Sequence, residues 1–131
     1  MRALIAVAPK PLASALMTRT LQSTGLQSQV YALDGQGEAQ VAQDLEALLA
    51  TIPPEYGLVI LTDAASSYCT TGVMAGLEKA FPRRNDVLIL SGVNVPMTTS
   101  AVMLRDMLDT TKELAESLLA EGRASMSRID V

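Results

Sequence analysis

The sequence predicts a doubly wound α/β fold, with a mostly parallel four-stranded sheet and helices on both faces. Three observations predict it. Short, nearly continuous apolar runs stand at residues 2–8, 29–33, 57–63 and 86–92, and such runs suit strands buried on both faces. Each is followed by a stretch whose apolar residues recur at helical spacing. The 131 residues contain no linker, repeat or low-complexity segment, so the chain reads as one domain, 1–131.

The first run ends at Pro9. From Pro11 onward Ala13, Leu16, Met17, Thr20 and Leu21 share one helical face, and Gly25 follows where a helix C-terminus needs it. The second strand closes at the turn signal Asp34-Gly35. Val41, Leu45, Leu48, Leu49 and Ile52 then form a second helical stripe, stopped by Pro53-Pro54. The third strand leads through a small polar turn into a helix bearing Val73, Leu77, Ala80 and Phe81, which Pro82 ends. After the fourth strand and the Val93-Asn94-Val95 turn, Pro96 suits a first helical residue, and a helix runs to about Leu108. Thr110 and Glu113 have capping-box spacing for a last helix to about Gly122, leaving residues 125–131 as a short terminal strand or tail.

Composition narrows the functions open to the chain. There is no histidine, the usual general base and nitrogen phosphoryl carrier near neutral pH. A single cysteine, Cys69, excludes an internal disulfide framework and a cysteine-based metal cluster, and with histidine absent a structural zinc site lacks its usual ligands. Ten basic residues against fourteen acidic ones, with the positive charges scattered, give nucleic-acid binding little support. Four aromatic residues are too few for stacking platforms. No apolar run approaches a membrane span, and the N-terminus lacks the features of a signal peptide, so a cytoplasmic protein is expected.

In doubly wound sheets ligands sit beyond the carboxyl ends of the strands, at the point where strand order reverses, here expected between strands one and three. That directs attention to Ala8-Pro9-Lys10 and to the turn from Asp63 through Ser66 and Ser67, with Asn94 close by after strand four. Asp63 could ligate a cation or a substrate hydroxyl, or simply cap the following helix. Lys10 could neutralise a phosphate beside a helix N-terminus, or be an ordinary solvated lysine. Ser66, Ser67, Thr70 and Thr71 could hold an anion, or serve only as caps. Cys69, in a helix's first turn, could be a thiolate of lowered pKa or a small buried thiol. Met97, Met103 and Met107, with Val102 and Leu108, suit either a core or an interface.

Residues 87–97, Val-Leu-Ile-Leu-Ser-Gly-Val-Asn-Val-Pro-Met, resemble a segment of the mannose-family IIA domains of bacterial sugar phosphotransferase systems, a strand followed by Gly-Val-Asn, a hydrophobic residue and Pro-Met. The strand ending in Asp63, the order of elements and the length agree with that family across nearly the whole chain. In the family a Ser- or Thr-His-Gly segment follows strand one, and its histidine takes a phosphoryl group from HPr and passes it to a IIB domain. Here Pro9 stands at the histidine position, flanked by Ala8 and Lys10, and Asp63 corresponds to the aspartate that orients the histidine. The family's glycine-rich turn is replaced by Ala64-Ala65-Ser66-Ser67-Tyr68-Cys69. Proline has neither an ionisable group nor an N–H, so it removes a nucleophile and a phosphate donor at one position.

The resemblance implies a homodimeric IIA-like domain linked to carbohydrate uptake, degenerate at its phosphohistidine position and acting by binding. Its partner would be HPr, a IIB domain or an active IIA paralogue, with no cofactor or metal and at most indirect membrane association through a transporter. In the family a C-terminal strand can pair with the partner's sheet, a part that residues 128–131 could play. Whether the chain is an enzyme stays open, since phosphoryl transfer through Cys69 and the sensing of a small anion by Lys10 and the Ser66-Ser67 turn are competing readings.

Overall fold

The computed structural model describes residues 1–79, 84 and 86–130. Four strands, β1 (Arg2–Pro9), β2 (Val30–Gly35), β3 (Gly57–Thr62) and β4 (Val87–Ser91), form one sheet in the order β2-β1-β3-β4. Every pairing is parallel, with Val7 opposite Leu33 on one side and Thr62 on the other. Alternation along the pleat sends Leu4, Ala6 and Ala8 to one face, against α1 (Leu12–Thr24), α4 (Val95–Leu104) and α5 (Thr111–Ala124). Ala3, Ile5 and Val7 face α2 (Glu38–Leu49) and α3 (Tyr68–Glu78) on the other side. Since both faces are covered, β1 and β3 need the unbroken apolar runs that mark them in the sequence. No helix among the described residues is long and apolar enough to cross a membrane.

Helix boundaries follow their caps. Gly25 closes α1 at φ 68, a left-handed conformation that glycine adopts without penalty. Thr110 caps α5 by accepting from the Glu113 N–H at 3.1 Å. The carbonyls at the amino end of the sheet are taken by three buried arginines. Arg2 donates to the carbonyls of Arg105, Leu108 and Asp109, and pairs with Asp86 at 2.9 Å. Arg105 donates to the carbonyls of Ser28 and Gln29, and Arg84 to those of Leu49, Ile52, Pro53 and Tyr56. Burial pushes the Arg84 and Arg105 guanidinium groups down from their ordinary value.

Several expectations change. β2 runs on through Asp34 and Gly35 instead of turning there, because Gly35 pairs with Pro9 and its carbonyl accepts the Lys10 N–H at 3.0 Å. α2 ends at Leu49, and Ile52 is buried from the following turn. α4 stops at Leu104, four residues before Leu108, because the chain there bends to meet Arg2. Residues 126–130 form an exposed tail with no strand of their own. Ala80, Phe81, Pro82 and Val131, expected in the third helix, at its end and in the terminal segment, lie outside the described residues.

Candidate functional site

Strand order reverses between β1 and β3, so their carboxyl ends open into a crevice flanked by the ends of β2 and β4. β1 ends there at the half-buried Pro9, and a cis Lys10–Pro11 peptide leads into α1, leaving Lys10 exposed. α1 has no side-chain cap of its own. Asp34, at the end of β2, supplies one from outside: its carboxylate accepts the Ser14 backbone N–H at 3.0 Å and the Ser14 hydroxyl. The helix pole beside Lys10 is therefore already met by a carboxylate of the same chain.

The β3–α3 turn is closed by hydroxyls. Asp63 does not cap α3 directly. Its Oδ1 accepts the Ser67 hydroxyl at 2.5 Å, and Ser67, as the N-cap, accepts the Thr70 N–H at 3.2 Å. Thr70 Oγ1 donates to the Ala64 carbonyl at 2.6 Å and lies 2.7 Å from Thr62 Oγ1. The N–H groups of Gly92 and Val93 donate to the carbonyls of Asp63 and Thr62, binding the β4 turn to the β3 turn, with Gly92 at φ 82 making the bend. Asn94 accepts the Met97 N–H at 3.0 Å and donates to the Gly122 carbonyl at 3.1 Å, so both of its polar ends serve α4 and α5.

Among the residues singled out from sequence, the topology gathers Pro9, Lys10, Asp63, Ser66, Ser67, Thr70 and Asn94 at this end of the sheet. Lys10 and Ser66 are exposed, whereas Ser67 and Asn94 are engaged as caps and the Thr70 hydroxyl is given to the Ala64 carbonyl. Sequence reasoning missed Asp34 with Ser14, and Tyr68, whose hydroxyl donates to the Gly35 carbonyl at 3.0 Å. The signal available was Asp34's place at the carboxyl end of a strand, obscured when Asp34-Gly35 is read as a turn. The methionines divide: Met97 fills the core, while Met103 and Met107 are exposed.

Cys69 lies fully buried under this turn. Burial first, and then the Asp63 carboxylate, push its thiol up to about 11, against the lowering that a helix N-terminus alone leads one to expect. A thiol raised in the folded state from 9.0 stabilises the fold fully below pH 9.0, and that contribution is lost as pH rises through about 11. Urea midpoints measured across this range are expected to fall, and to fall less steeply in Cys69→Val. Parallel curves for the two proteins would show that Cys69 does not titrate with unfolding.

No family model matches the sequence, and no curated protein matches it. Solved structures do. The phosphotransferase system component EIIA of Streptococcus agalactiae superposes with a TM-score of 0.84 at 19% identity, over 98% of this chain and 97% of that one. The fold is that of phosphotransferase EIIA components. The mannose/sorbose-specific IIA subunit of Enterococcus faecalis shares this EIIA fold with a TM-score of 0.79 at 16% identity, covering 99% and 96% of the two chains. The PTS IIA protein associated with the fucose utilization operon of Streptococcus pneumoniae matches with a TM-score of 0.70 at 16% identity, covering 97% and 92%. At such identities the likeness is one of EIIA architecture.

Proposed function

We propose that this chain is a mannose-type EIIA-like domain, linked to carbohydrate uptake, that binds a phosphotransferase protein without itself carrying phosphate. The observation that carries the reading is the end of β1, where Pro9 stands at the crevice of a chain without histidine. No imidazole is available there, and the nearby hydroxyls of Ser67 and Thr70 are held by Asp63, Ala64 and Thr62. Cys69 is a poor substitute: a thiol buried and raised to about 11 is thiolate to only about one part in ten thousand at neutral pH.

The partner is HPr, a IIB domain or an active IIA paralogue, met in the cytoplasm, with membrane contact only through a transporter. The domain works as a homodimer. Support comes from the edge strand β4, whose Val87, Leu88 and Ile89 are only half-buried, and from an apolar groove of about 310 Å³ between that strand and Met74, Leu77 and Glu78 of α3. The exposed residues 126–130 are free to lie along such an edge in a second copy. Titration of purified HPr, a IIB domain and a IIA paralogue into the protein by calorimetry is expected to give one partner with a Kd on the order of micromolar. Absence of heat with all three would remove the binding role.

A further inference from the structure

We draw no further inference here: the strongest candidate, the cavity of about 370 Å³ between the carboxyl ends of α2 and α3 with Ile52, Gly76, Lys79 and Arg84 in its lining, carries nothing, because Arg84 is already engaged by four backbone carbonyls and Lys79 by Glu46 at 3.2 Å, and nothing in the structure shows what would fill it.

Discussion

Arg84→Ala is expected to cost about 3–4 kcal/mol of folding stability, a large share of the roughly 5–15 kcal/mol a domain of this kind has. The side chain is nearly buried, and its two terminal nitrogens donate to four carbonyls, Leu49 at 2.9 Å, Ile52 at 2.6 Å, Pro53 at 3.1 Å and Tyr56 at 3.2 Å. These belong to the last turn of α2 and the loop leading into β3, which have no other cation to satisfy them in this arrangement among the described residues. Hydrogen bonds to a charged group contribute about 1.5–3 kcal/mol each, and water entering the vacated space recovers part of the total. Lysine offers a single nitrogen in place of a planar fork, so Arg84→Lys is expected to restore less than half of the loss. Urea denaturation reads both variants. A cost below about 1 kcal/mol for alanine would mean that water caps the loop equally well.

Gly72→Ala is expected to cost about 2 kcal/mol, although alanine favours a helix over glycine by about 1 kcal/mol. A Cβ on Gly72 would lie 2.8 Å from the Glu38 carbonyl oxygen and 2.8 Å from Val41 Cβ, so α3 could accept it only by moving away from α2. Backbone crowding of this kind has no rotamer by which to escape. The contrast is Gly122, where the close atom is the end of the flexible Met97 side chain at 2.8 Å, and the corresponding alanine variant should be nearly neutral. Thermal midpoints of the two variants separate these cases. Equal stabilities would show that the α2–α3 contact is less tight than the backbone positions imply.

The four strands and five helices were legible because each signal is local. Unbroken apolar runs mark β1 and β3, Gly25 ends α1, Pro96 begins α4 in its first turn, and Thr110 caps α5. What was not legible depends on distant partners. Arg2, Arg84 and Arg105 look like scattered surface charges, and only the folded chain brings each to carbonyls that are 28 to 107 residues away. Gly35 suggested a turn because glycine usually serves one. It stays in β2 because it pairs with Pro9, and it is glycine because Cys69 Sγ would stand 2.8 Å from any Cβ there and Tyr68 closes over it. The position of the crevice follows from strand order, which the alternation of elements anticipates. Its state did not follow, because the engagement of Asp63 by Ser67 and of Asp34 by Ser14 is a matter of side-chain geometry.

The central claim is that the domain keeps EIIA architecture without phosphoryl chemistry, and intact mass tests it most directly. The purified protein is incubated with phosphoenolpyruvate, enzyme I and HPr, and its mass is read together with the acid and base lability of any adduct. Unchanged mass, while HPr in the same mixture becomes phosphorylated, is the expected result. A stoichiometric adduct that disappears in Cys69→Val would contradict the claim and make this domain a phosphoryl carrier with a different nucleophile.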